Sequence, residues 1–319
     1  MYCMPQAKRA PCHIFNCFQF LQHKVFLFFF KGAFLFRKTY IEITNICNHS
    51  CDFCPGTLRE KKIMEVKLFQ TVLEQLRGYS RLIHFHVMGE PLLHPDIATF
   101  LDLCLPFGYR VNLVTNGILL PVVMDSIINK PSLRQISISL HHLSGSDQAA
   151  VDSYFSGIEK FIRSACSFPA LFISLRLWND GDNGNIPLRE DIMRRIAEIF
   201  SIPFPDIALC TETYPVRLAE NIWLNSADKF EWPDLKNKDY GSDGRCLGLS
   251  EQIAVLVDGT VTPCCLDHEG EINFGNISSM PLIDILKSRR AASMRKGFSQ
   301  GKIVEDLCRR CSYRQKFKI

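Results

Sequence analysis

From Tyr40 onward, apolar β-branched runs alternate with stretches of helical period. YIEIT (40–44), LIHFHVM (82–88), RVNLVT (110–115), QISISL (135–140) and LFISLRLW (171–178) read as buried parallel strands. Between them, MEVKLFQTVLEQL places Val66, Phe69, Leu73 and Leu76 on one helical face. HPDIATFLDLCL opens a helix with Pro95 and Asp96, and DSYFSGIEKFIRSAC and LREDIMRRIAEIF continue the alternation. Strand followed by helix, repeated, predicts parallel βα units. Five repeats are clear and a sixth is expected within 206–219, which is too few for a closed eight-fold barrel and enough for an open one. The fold class expected is α/β: a partial (β/α)6 TIM-like barrel with a small C-terminal hairpin-and-helix unit.

Residues 221–245 break the rhythm and read as a connector, with 39–220 the barrel and 246–319 the second unit. In that unit QIAVLVDGTVTPCC brackets Asp258-Gly259, a hairpin signal, and PLIDILKSRRAASM predicts one helix. Residues 1–38 form an N-terminal extension. They include VFLFFFKGAFLF, an apolar run bounded by Lys24 and broken by Lys31, short of the roughly 20 residues a membrane span needs. No small-residue cleavage site follows it. The segment fits either an unusual N-terminal extension or a start assigned too far upstream, the latter with translation beginning near Val25 or Leu35. In that case peptides from residues 1–24 are expected to be missing from mass spectra of the native protein, and finding them would overturn the expectation.

Composition adds a constraint. The 319 residues carry a formal charge of +4, too weak by itself to imply nucleic-acid binding. The basic segments KSRRAASMRK and RRCSYRQKFKI read as solvated surface. A chain of this size needs no disulfide staples, so 14 cysteines at metal-like spacings point to a reducing, cytoplasmic setting.

Three of the cysteines, Cys47, Cys51 and Cys54, lie as C-x3-C-x2-C directly after the first strand. Zinc favours four ligands in paired C-x2-C ends. A cubane held by three thiolates leaves one iron open, an arrangement suited to chemistry more than to structure. With Phe53 before the third cysteine, this motif resembles that of the radical S-adenosylmethionine (SAM) superfamily. MGEP (Met88–Pro91) is similar to that family's Gly-Gly-Glu segment, with Met88 in place of the first glycine.

The resemblance implies a [4Fe–4S] cluster whose open iron chelates SAM. Its reductive cleavage gives a 5′-deoxyadenosyl radical that abstracts hydrogen from substrate. It also implies roles for single residues. Gly89 and Glu90 would face the methionine ammonium. Asn116, in TNG at the end of strand three, and Ser139 would touch the cofactor. Arg176 would pair with the methionine carboxylate through its guanidinium fork, and Phe53 would stack on adenine. A structural role, including helix capping by Asn116, is the alternative for these side chains. His84, His86, His141 and His142 are expected near the barrel mouth, and Trp223, Phe230 and Trp232 along the substrate site.

Beyond the barrel come Cys246, Cys264 after seventeen residues, Cys308 after forty-three more, and Cys311. This set resembles the SPASM and twitch domains, in their shorter single-cluster form. The resemblance implies an auxiliary [4Fe–4S] cluster that assists electron transfer. Cys265 is read as a packed thiol, and a zinc ribbon is the rival for the set. The expected function is radical modification of a peptide or oxidation of a small molecule, supplied with electrons by a donor such as flavodoxin or ferredoxin. Neither membrane nor nucleic-acid partners are expected. The competing reading is a non-catalytic zinc or iron–sulfur module contacting RNA.

Overall fold

The computed structural model describes residues 36–143, 147–179, 186–209 and 214–317. Residues 1–35 of the N-terminal extension and Cys210 fall outside these residues. Phe36 is buried in the core, and β1 (Lys38–Ile41) opens two residues on, inside the stretch read as extension.

Strands β2 (Leu82–Phe85), β3 (Arg110–Thr115), β4 (Leu133–Ser139) and β5 (Phe172–Asn179) follow β1 in register, each parallel to the last. Helices α1 (Val66–Gln75), α2 (Ile97–Cys104), α3 (Leu120–Ile127), α4 (Gln148–Ala165) and α5 (Ile186–Phe200) make the crossovers. Phe69, Val72 and Leu73 of α1 and Phe100 and Leu101 of α2 are buried in one core with Ile41, Ile83 and Phe85. The repeat around α3 was not read from the sequence. LPVVMDSI is short and begins with Leu119 and Pro121 rather than with a polar cap.

The sixth parallel strand lies later than 206–219. Phe204–Ala208 is a short helix, α6, and β6 (Val216–Ala219) pairs antiparallel at the sheet edge. The parallel partner of β5 is β7 (Ile222–Asp228), inside the stretch read as connector. Its sequence, IWLNSAD, hides the strand because Asn225, Ser226 and Asp228 interrupt the apolar run.

The expected hairpin forms from β8 (Gln252–Val255) and β9 (Val261–Thr262). It does not stand apart: β8 pairs parallel with β1, Lys38 to Gln252 through Ile41 to Val255. One nine-stranded sheet therefore runs β6-β7-β5-β4-β3-β2-β1-β8-β9 among the described residues. The single C-terminal helix expected over 281–294 is two, α7 (Leu282–Lys287) and α8 (Arg289–Ser299). Ser288 adopts an extended backbone between them, and its hydroxyl caps α8 by accepting from the Ala291 N–H. The last helix is α9 (Asp306–Arg309).

At the C-terminal end of β1 the Glu42 side chain is fully buried. Its two oxygens accept from Arg59 at 2.6 and 2.8 Å, from the Met88 N–H at 3.2 Å and from the Val257 N–H at 3.0 Å. Burial pushes this carboxyl up, and the Arg59 fork and the backbone donors oppose it. Four donors on two oxygens keep the pair ionised. Glu42→Gln is expected to cost about 3–5 kcal/mol, since it leaves Arg59 without its counter-ion. Urea unfolding of the purified protein reads this directly, and a midpoint equal to wild type would contradict it.

Candidate active site

Alternate residues on six strands share one face of the sheet. Lys38 and Tyr40, His84 and His86, Asn112 and Val114, Gln135, Ser137 and Ser139, Ser174, Arg176 and Trp178, and Asn225 and Ala227 all line one cavity of about 870 Å³. The sheet therefore curls around a lumen. The other parity carries the apolar residues that pack under the helices, including Ile83, Val111, Ile136, Ile173 and Leu224. Seven of the cysteines singled out from the sequence, Cys47, Cys51, Cys54, Cys246, Cys264, Cys308 and Cys311, line this same cavity, as does Cys265.

The first cysteine set sits on a loop closed at its base. Thr44 bridges to Ile63, Asn45 Nδ2 donates to the Glu60 carbonyl, and Asn45 Oδ1 accepts from the Lys62 N–H. At the tip the Leu58 N–H donates to the Glu269 carboxylate of the C-terminal unit. The Cys47 sulfur faces the backbone N–H groups of His49 and Asn48, and burial with neighbouring Glu90 and Cys54 raises its pKa on balance. Cys51 is pushed up to about 12, first by burial and then by Cys54 and Cys47.

Behind this loop Gly89 takes φ +76°. A Cβ there would stand 2.4 Å from the Thr44 carbonyl oxygen and 2.8 Å from both the Asn45 Cα and the Ile46 carbonyl oxygen. Only glycine lets the two backbones approach so closely. The Glu90 N–H donates to the Ile46 carbonyl at 2.8 Å, tying the segment to the cysteine loop.

The Glu90 carboxylate lines the cavity and is held in place by the protein. It is buried and accepts from the Thr115 hydroxyl at 2.7 Å, the Asn116 N–H at 2.8 Å and the Leu92 N–H at 3.0 Å. Asn116 is also engaged. Its Oδ1 accepts from the Ile118 N–H in a local turn ahead of α3, whose own N-cap is Leu119, and its Nδ2 donates to Asn48. Ser139 and Arg176 are register partners on β4 and β5 and face the lumen. The electrostatic neighbours of Arg176 are Tyr313, Tyr40 and Cys265. Phe53 packs edge-on against Trp178 at 4.4 Å.

That contact begins a chain of rings. Trp178 meets Phe230 at 5.9 Å, and Phe230 meets Tyr313 at 5.3 Å and Trp232 at 5.5 Å. Phe53 stands between Cys51 and Cys54, and Tyr313 two residues after Cys311, so aromatic contacts bridge the two cysteine sets. Trp223 does not line the cavity and lies near Arg217 instead. The side chains of His141 and His142 lie outside the described residues.

In the second set, burial and then other thiols push Cys264 and Cys308 well above the ordinary range. Cys265, Cys246 and Cys308 act on Cys264, and Cys246 and Cys311 act on Cys308. Burial lifts Cys311 to about 11, with Cys246 adding to it. Four buried thiols that oppose one another's ionisation become thiolates together only around a cationic centre, so the donor set fits an iron–sulfur cluster. Among the described residues no three Cys, His, Asp or Glu side chains converge as a single metal ion requires. A cluster, whose thiolates sit on separate irons, does not ask them to. Cys265 faces the other way. Its sulfur hydrogen-bonds with the Tyr40 hydroxyl inside the lumen, next to Lys38 and Arg176.

An open parallel barrel with a three-cysteine loop after its first strand defines the radical SAM class. Residues 41–169 match the Radical SAM superfamily, and residues 246–312 match SPASM, an iron–sulfur cluster-binding domain. The chain belongs to the radical SAM superfamily and carries a C-terminal SPASM domain. It is a radical SAM enzyme whose cofactors are a [4Fe–4S] cluster with SAM and an auxiliary iron–sulfur cluster.

It is similar to the S-adenosyl-L-methionine-dependent 2-deoxy-scyllo-inosamine dehydrogenase of Niallia circulans, 22% identical over 286 residues, covering 87% of this chain and 93% of that one. A probable GTP 3′,8-cyclase of Methanosarcina mazei is 25% identical over 293 residues, covering 81% and 86%. Among solved structures the fold resembles BtrN in complex with AdoMet and 2-DOIA, with TM-score 0.54, 21% identity and coverage of 88% and 94%. Streptococcus suis SuiB bound to S-adenosylmethionine has TM-score 0.56, 16% identity and coverage of 82% and 68%.

Glu42, Arg59, Asn45 and Tyr40 were not read from the sequence as parts of the site. The one available signal was Glu42 itself, a charged residue inside an apolar strand run. Replacing Cys265 by serine is expected to leave the iron content of the reconstituted protein unchanged. Replacing Cys246, Cys264, Cys308 or Cys311 is expected to remove about four irons. Loss of about four irons in the Cys265 variant would make it a ligand.

Proposed function

We propose that this enzyme oxidises a small molecule held in the barrel lumen, between the two cysteine sets. The observation that carries this reading is that both sets open onto one cavity of about 870 Å³, a volume suited to a small ligand. The full-length similarity to a SAM-dependent dehydrogenase supports it. Modification of a peptide is the second reading, favoured by the likeness to SuiB, which was also solved bound to the precursor peptide SuiA.

Cys47, Cys51 and Cys54 would hold the first cluster, and SAM bound there supplies a hydrogen-abstracting radical on one-electron reduction. The chain's own residues do the positioning. The Gly89 backbone packs against the cysteine loop. Glu90 fixes the end of β3 through Thr115 and Asn116, which turns Asn116 toward Asn48 within that loop. Ser139 faces the lumen, where a polar group of the cofactor would meet it. Phe53, Trp178, Phe230 and Tyr313 form an apolar wall that excludes water from a reactive intermediate. Cys246, Cys264, Cys308 and Cys311 would hold the auxiliary cluster as an electron acceptor for substrate.

Reduction would come from a small one-electron donor of the flavodoxin or ferredoxin type in a reducing cytoplasm. The described cysteines are all free thiols, and no helix of the described residues is long and apolar enough to cross a membrane.

Anaerobic reconstitution is expected to load about eight irons per chain and, with dithionite and SAM, to yield 5′-deoxyadenosine. Cys47→Ala is expected to bring iron to about four and 5′-deoxyadenosine to background. Zinc in both sites, or an iron-loaded protein that forms no 5′-deoxyadenosine, would count against the reading.

A further inference from the structure

The lumen is polar in a one-sided way. Two cations enter it from opposite strands, Lys38 on β1 and Arg176 on β5, both half-buried with their remaining surface toward the cavity. Among the described residues neither side chain has a carboxylate within ion-pair distance or a hydrogen bond to protein. Lys38 Nζ stands 5.5 Å over the Tyr40 ring, and the charged neighbours of Arg176 are phenols and a thiol.

The cavity's own carboxylates are engaged or distant. Glu90 has three protein donors. Asp267 accepts the Glu271 and Ile272 N–H groups, each at 2.9 Å. Asp228 lies three residues beyond Asn225, the register partner of Arg176, toward the C-terminal end of the strands.

Beside the two cations lie groups with unspent hydrogen-bonding capacity. His84 Nε2 and Trp232 Nε1 are buried atoms without a partner. The His84 ring lies 5.1 Å from that of Tyr40. Burial, Lys38, His86 and Arg176 hold the His84 imidazole down at about 3, and burial with Arg176 and Lys38 holds that of His86 at about 4. Both imidazoles are therefore neutral at pH 7, and neither supplies or offsets charge. Two uncompensated cations in a desolvated pocket are costly and are repaid when an anion enters.

We propose that the lumen contains an anion-binding subsite in which Arg176 and Lys38 take a carboxylate or phosphate group of the substrate. Tyr40, Tyr313 and His84 stand around it, and the subsite lies beside Cys264 and Cys265 rather than the Cys47 loop. The proposal rests on reading the cavity as the substrate pocket. It moves Arg176 from the methionine carboxylate to the substrate, because Tyr313 and Cys265, which act on its charge together with Tyr40, belong to the auxiliary side.

The test is anaerobic calorimetry on the reconstituted protein at constant ionic strength. Inorganic phosphate and succinate are titrated in separate arms, each with and without saturating SAM. Saturable binding of at least one is expected, persisting with SAM and weakened at least tenfold in Arg176→Met and Lys38→Met, and less in Arg176→Lys. The arm that binds tells phosphate from carboxylate. Three results would overturn the subsite: no saturable binding in either arm of the wild type, binding abolished by SAM, or equal affinity in both methionine variants. The substrate reading fails separately, through the iron count and 5′-deoxyadenosine assay of the wild type.

Discussion

The structure depends on one buried carboxylate. Glu42 ends β1 and accepts from three separate parts of the chain: the Arg59 guanidinium beyond the cysteine loop, the Met88 N–H beyond β2, and the Val257 N–H beyond β8. Each of these parts carries something the site needs. Arg59 closes the loop that bears Cys47, Cys51 and Cys54. Met88 leads into Gly89 and Glu90. Val257 leads through the β9 turn to Cys264. A single ionised group in a low-dielectric position thus fixes two cysteine sets and the segment between them. Its solvation is replaced by four directed donors, so the arrangement has little freedom to relax.

Much of this was legible in the chain and some was not. The βα rhythm came through because buried parallel strands are β-branched and their helices amphipathic. The cysteine motifs came through because thiolate chemistry is local in sequence. β7 did not, because Asn225, Ser226 and Asp228 break up its apolar residues and make the segment imitate a connector. The break at Ser288 did not, because one helical period spans both α7 and α8. Glu90 was identified, but its three protein donors come from positions that spacing alone does not bring together. The partners of Glu42 lie 17, 46 and 215 residues away, and no local pattern announces them.

The lumen reverses the usual economy of a barrel, where inward-facing side chains fill the interior. Here the apolar parity goes outward under the helices, and the inward parity is hydroxyl, amide, imidazole and cation. Such an interior cannot close on itself dry, and its unpartnered atoms await a polar occupant. The aromatic contacts from Phe53 to Tyr313 bound it on one side and give the polar space an apolar wall there.

The parallel pairing of β8 with β1 carries a further meaning. A domain attached by a flexible linker can rock, and the separation of two redox centres then varies with every swing. A domain that contributes a strand to its neighbour's sheet is clamped along a ladder of hydrogen bonds. The ladder therefore works as a ruler that sets the spacing between the two cysteine sets. The same ladder covers the edge of β1. A barrel cut free of its C-terminal unit would bare that edge as a template for another chain, which makes the two units one folding body as well as one electrical circuit.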